Sequence, residues 1–328
     1  MLGDLNPVNN NNDDDSSTSY YLLFTFLVGL ATTLYLITKA ASQNRLSFKD
    51  PTARFIAGGL ALMVNTLHTK KGDLEINNPE GQIIAIGPHR TGLLDATVAS
   101  SKITGTPPRF FATDTFNTIP GVAAFMKMFE TIPVAEKATK TKGQSANAGV
   151  IELGCEALSK KGCVALFPQG NFAKLGQDPH PVYAGAAKMA VKSKAPIQVI
   201  RLDGFGFEKS LLPAFILNNS VYRAMFSLFS IRNITATRCC VIDFHLQPEN
   251  ENLTDEEKID EICAQIYAYF RESKDLTSGQ IDKIGTDIKD KKHHLIWGNK
   301  KAQEETKRTL SGLKQEEATF DETPSISQ

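Results

Sequence analysis

The chain has little tryptophan, little cysteine and no excess of charge of either sign. Lys+Arg and Asp+Glu each number 36 in 328 residues, so the formal net charge is zero. A general nucleic-acid binder is normally basic, so neutrality argues against that class. The five cysteines are Cys155, Cys163, Cys239, Cys240 and Cys263; their number is odd and none form a C-x-x-C pair. That excludes an ordinary disulfide scaffold and suits reduced core thiols. No G-x-S-x-G occurs, which removes the usual hydrolase elbow. Gly204-Phe205-Gly206-Phe207-Glu208-Lys209-Ser210 ends in Lys-Ser but lacks the spacing of a phosphate-binding P-loop. His293-His294 has no third ligand at a suitable spacing, so no metal site is assigned. No internal repeat is visible.

What is present is sharply segregated. Residues 1–19 are polar, with an Asn run followed by Asp13, Asp14 and Asp15, and read as a disordered acidic tail. Tyr20 to Thr38 then carries no charge. As a helix it would span roughly 28 Å, the thickness of a hydrocarbon core. Residues 20–41 are therefore expected to form a transmembrane helix. Lys39, Arg45, Lys49, Arg54, Lys70 and Lys71 follow it, and no Lys or Arg precedes it. The positive-inside rule then predicts a single-pass integral membrane protein with its bulk on the cytoplasmic side. Residues 42–79 are expected to be a juxtamembrane, interfacial helical segment. Residues 274–328 hold ten basic and ten acidic side chains and are expected to be a charged, mostly flexible tail.

Between these, over residues 80–273, short apolar runs alternate with amphipathic ones. Gln82–Gly87, Arg109–Ala112, Cys163–Phe167, Pro196–Leu202 and Arg238–Phe244 read as strands. Thr91–Ser101, Val122–Phe129, Ala146–Lys160, Val182–Ser193 and Asp255–Arg271 read as helices, the last with Thr254 as N-cap. The alternation predicts an α/β layer fold.

Four blocks carry candidate chemistry. The first strand is followed by Pro88-His89-Arg90-Thr91-Gly92-Leu93-Leu94-Asp95. A histidine leaving a buried strand sits where α/β folds build sites. An aspartate a turn or more later can accept its Nδ1–H and leave Nε2 to take a proton. The second block runs from Phe110 to Lys137 and contains Pro120-Gly121 and Ile132-Pro133-Val134. The third is Phe167-Pro168-Gln169-Gly170-Asn171, a strand end whose Pro-x-Gly lets backbone N–H groups face a ligand. The fourth is Ala195-Pro196-Ile197-Gln198-Val199, after the Ala184-Gly185-Ala186-Ala187-Lys188-Met189-Ala190 helix.

In this order and spacing, over about Glu80 to Leu202, the blocks resemble the PlsC-like glycerolipid (lysophospholipid) acyltransferase family. The resemblance implies an α/β domain with a mixed, mostly parallel sheet flanked by helices. It implies O-acyl transfer from acyl-CoA or acyl-ACP as cosubstrate to a hydroxyl of a lysophospholipid such as 1-acylglycerol-3-phosphate, with no bound cofactor. Membrane lipids and the acyl carrier are the implied partners, not nucleic acid. His89 would be the general base and Asp95 its orienter. Pro120, Gly121, Lys137, Gln169, Gly170, Asn171 and Lys174 would hold the acceptor, and Pro196 would belong to the acyl groove or donor site.

The sequence also departs from that family. Five residues, not four, separate His89 from Asp95, and Pro88 replaces an asparagine. Gln169 stands where the family has glutamate. Phe172 and Glu136 stand where it often has phosphate-gripping arginines, with Lys137, Lys140 and Lys174 nearby. Two alternatives follow: a catalytically impaired lipid-binding or scaffold protein, and a thioester hydrolase that uses water as acceptor.

Overall fold

The structure, a computed structural model, describes residues 46–67, 75–77, 79–91, 93–118, 122–135, 149–170, 182–204, 234–271 and 276–290, with positions 24, 25, 27–29, 31, 32, 35 and 39. Its centre is a six-stranded sheet of order β5-β4-β6-β2-β7-β8. The strands are β2 Ile83–Gly87, β4 Pro108–Thr113, β5 Ile132–Val134, β6 Cys163–Leu166, β7 Ile197–Asp203 and β8 Thr235–Ile242. All neighbours pair in parallel except β8, which runs antiparallel to β7 at one edge. A separate parallel pair joins β1 Ile76–Asn77 to β3 Ile103–Thr104.

The three central strands explain the layering. Every residue of β2, β6 and β7 is buried. A strand buried on both faces needs near-continuous apolar sequence and helices on both sides. On one face, Ile84, Ile86, Ile200 and Leu202 pack with α1 (Pro51–Leu67) and α2 (Leu93–Ser100). On the other, Ile83, Ala85, Val164 and Val199 pack with α4 (Val150–Ser159), α5 (Gly185–Ser193) and α6 (Asp255–Phe270). The short α3 (Val122–Met128) connects β4 to β5.

Capping fixes several helix starts. Asp50 Oδ1 accepts from the Thr52 N–H at 2.7 Å ahead of Pro51 in the first turn of α1. Thr254 forms a reciprocal capping box with Glu257 at the start of α6, where the sequence placed the N-cap.

Three expectations need adjustment. The 42–79 segment is not purely interfacial: Ala53 and Val64 of α1 are fully buried against the sheet. The 274–328 tail is not uniformly flexible in character. Ser278–Lys289 form α7, opened by a Thr277–Gln280 capping box, and its Ile281 joins the core. Charge counting missed it because one apolar face is enough to dock a helix. The proposed membrane helix falls mainly outside the described residues. The positions described there are helical and exposed, Phe24 and Tyr35 among them. Among the described residues no helix is long and apolar enough to cross a membrane.

Candidate active site

Register brings two of the blocks together. Ala85 pairs with Leu166 and Gly87 with Arg201, so β2, β6 and β7 end on the same edge of the sheet. The chain therefore leaves β2 through Pro88-His89 directly beside Phe167–Gly170 leaving β6. That carboxyl edge, where neighbouring strands lead to connections on different sides, is the usual ligand position of open α/β sheets.

Asp95 lies in the first turn of α2 and is fully buried. Its Oδ2 meets His89 Nδ1 at 2.9 Å. The same oxygen accepts the backbone N–H groups of Arg90 at 2.7 Å and Thr91 at 2.9 Å, and Oδ1 accepts the Thr91 hydroxyl. These N–H and O–H donors satisfy both oxygens of a carboxyl group that water does not reach. They also show how five intervening residues suffice: the loop wraps around the carboxylate, and Asp95 reaches His89 despite the longer spacing. Gly92, the glycine of that loop, lies outside the described residues.

His89 is held on three sides. Its ring stacks on Phe167 with centroids 3.8 Å apart and planes 16° from parallel. Its backbone N–H donates to Gln169 Oε1. A neutral His89 ring that donates its Nδ1–H to Asp95 carries its lone pair on the other ring nitrogen, Nε2. The side chain is 12% exposed, so the ring edge reaches the surface.

Packing under the site is close. A Cβ on Gly87 would lie 2.6 Å from the Phe270 ring, so only glycine lets α6 approach the strand end. Gly170 adopts φ +66°, and a Cβ there would press 2.9 Å from the Tyr183 ring. The Tyr183 N–H also donates to the Pro168 carbonyl at 2.7 Å, which fixes the turn after β6.

The structure thus brings together His89, Asp95, Gln169 and Gly170. Pro120, Gly121, Lys137, Asn171 and Lys174 lie outside the described residues, as do Lys140, Glu136 and Phe172. Pro196 is elsewhere. Its carbonyl accepts the Ile83 N–H at 3.0 Å, at the amino end of β2. Five strand residues at about 3.3 Å each put it some 17 Å from the His89 end. A proline that begins a parallel strand necessarily sits on the edge opposite the residues that follow its neighbour. Thr91 and Phe167 were not singled out from sequence. Thr91 lies four residues before Asp95, a spacing that signals a turn bond. Phe167 had no comparable signal, because stacking on His89 depends on strand register.

None of the cysteines is placed to act as a nucleophile beside His89. All five are free, and burial pushes the Cys163 thiol up to about 12.

Residues 68–203, which span both strand-end loops, match the family model described as Acyltransferase. The protein is an acyltransferase. The matched stretch contains all four sequence blocks. No curated protein matches the chain. Among solved structures, the 1-acyl-sn-glycerophosphate (LPA) acyltransferase PlsC from Thermotoga maritima aligns at 14% identity and TM-score 0.41, over 74% of this chain and 92% of that one.

Proposed function

We propose that the protein transfers a fatty acyl group from an acyl-thioester, acyl-CoA or acyl-ACP, to a hydroxyl of a lysophospholipid. 1-Acylglycerol-3-phosphate or a related glycerolipid is the acceptor. The observation that carries this reading is the His89–Asp95 pair, 2.9 Å apart, at the carboxyl edge of an acyltransferase domain. Asp95 holds the Nδ1–H tautomer, and Nε2 takes the hydroxyl proton as the alcohol oxygen attacks the thioester carbonyl carbon. The carbon–sulfur bond then breaks, and the proton passes from His89 to the leaving thiolate. The residues from Pro120 to Lys137 and from Gln169 to Lys174 hold the acceptor.

The same reading anchors the domain at a membrane through residues 20–41, with the domain on the cytoplasmic side. Its support is the charge-free run from Tyr20 to Thr38 and the basic residues after it. Carbonate-resistant membrane association of the full chain, lost when residues 1–41 are removed, is the expected result.

The activity test is His89→Ala in a detergent assay with acyl-CoA and lysophosphatidic acid. The variant should lose transfer while retaining the wild-type melting temperature. Undiminished turnover would falsify the general-base role. Free fatty acid release that does not need the lysolipid would instead indicate hydrolysis.

A further inference from the structure

We infer that Arg201 is a positioning residue for the proposed base: its guanidinium clamps the last turn of α6 against the end of β2 and so sets where His89 leaves the sheet. The inference rests on the acyl-transfer reading above and concerns a side chain that no substrate reaches. Arg201 has the largest fully buried side chain among the described residues. Its Nε–H donates to both oxygens of Asp203, at 2.9 and 3.1 Å, and its Nη1 donates to the Tyr269 carbonyl. Asp203 is itself buried. The two residues lie two apart on β7, so both point to the sheet face that α6 covers.

Such a pair is a poor device for stability alone. Taking two charges out of water costs nearly what their attraction returns, and apolar side chains of similar volume fill the space as well. What apolar side chains cannot do is hold a carbonyl. Tyr269 is the penultimate residue of α6, where helix carbonyls run out of partners along the helix. That end also carries the negative end of the helix dipole, which suits a guanidinium. Phe270 comes next and is fully buried, its ring 2.6 Å from where a Cβ on Gly87 would lie. Gly87 is the strand partner of Arg201 and the last residue of β2, and Pro88-His89 follow it. The contacts form a closed path: Arg201 to Tyr269, Phe270 to Gly87, and Gly87 back to Arg201 through the ladder. Asp95, Phe167 and Gln169 hold His89 itself. The closed path holds the strand end from which it departs.

The test compares wild type, Arg201→Met/Asp203→Leu, Arg201→Lys and Phe270→Leu in the full-length protein, with acyl-CoA and lysophosphatidic acid as substrates. The double variant removes both charges, so neither is left buried alone. Its melting temperature should stay within about 5 °C of wild type. Its kcat should fall about 100-fold, the usual result of displacing a reacting group by about 1 Å. KM for both substrates should stay within about twofold, because no binding contact is removed. Arg201→Lys keeps a donor for the Tyr269 carbonyl and should lose no more than about tenfold. Phe270→Leu cuts the same path without touching a charge and should lower kcat by about tenfold at unchanged KM. Added to the double variant, it should cost less than the product of the two losses, because both act through Gly87.

A folded double variant with kcat within about threefold of wild type overturns the inference, since a merely structural pair moves the melting temperature instead. So does a rise in KM at unchanged kcat, or a loss that multiplies in full with that of Phe270→Leu. If the double variant does not fold, wild-type kcat in Phe270→Leu has the same force. Failure of the underlying reading looks different: transfer would survive His89→Ala.

Discussion

The two edges of the central sheet are built from the same strands and differ completely in chemistry. At the carboxyl edge, two loops meet in a buried polar network of His89, Asp95, Thr91 and Gln169. At the amino edge lies a cleft of about 390 Å³ lined by Gly81, Cys155, Lys192, Lys194 and Pro196, among others. Its charges are surface charges: Lys192 pairs with Glu152 at 2.7 Å, each more than half exposed. Among the described residues it brings no histidine to a carboxylate. Parallel strands force this asymmetry, because all their outgoing loops gather at one end and all their incoming loops at the other.

Substitutions should therefore grade in effect from one edge to the other. Asp95→Asn removes the anionic acceptor from His89 and favours the wrong tautomer. It should lower kcat by about 10³-fold or more, measured under saturating substrate, if the pair works as assigned. Thr91→Val leaves Asp95 in place but takes away its hydroxyl donor. A loss of about tenfold in kcat and about 1–2 kcal/mol in denaturant stability is expected. Gly87→Ala forces a methyl group into the Phe270 ring and should destabilise by about 1–3 kcal/mol in thermal melts.

Pro196→Ala, at the opposite edge, should leave kcat/KM within about twofold of wild type. A large loss of turnover there would contradict the division between the edges. The smallest effect concerns thiol chemistry. Burial pushes Cys240 up to about 12, so its thiol stays protonated at neutral pH. Iodoacetamide at pH 8 should label it far more slowly in the folded protein than in denaturant, with no loss of activity beforehand.

Much of this was legible in the chain itself. The buried strands declared themselves as Ile-Ile-Ala-Ile, Cys-Val-Ala-Leu and Ile-Gln-Val-Ile, and each lies within a residue or two of its expected place. The start of α6 was readable from Thr254 and Glu257, because capping is a local interaction. β5 was less legible: three residues, Ile132 to Val134, carry no periodicity. α7 was hidden by its charges, since its docking depends on Ile281 finding a core built from residues far earlier in the chain. In the site, His89 and Asp95 were singled out by their position after a strand, and the structure brings them to 2.9 Å. Pro196 was named with the acyl groove because motif order says nothing about which edge of the sheet a residue occupies.

Sequence by itself determined the residue types, the alternation of strands and helices, and the order of the four blocks. These are properties of neighbouring residues and need no partner. Only the tertiary structure decided that Asp95 reaches His89 across five residues, that Phe167 stacks on the imidazole, and that Gln169 spends its oxygen on the His89 backbone. Each depends on β2 and β6 lying side by side in one register. That register is fixed by burying both strands between two helical layers, a requirement of the whole domain that no single motif contains.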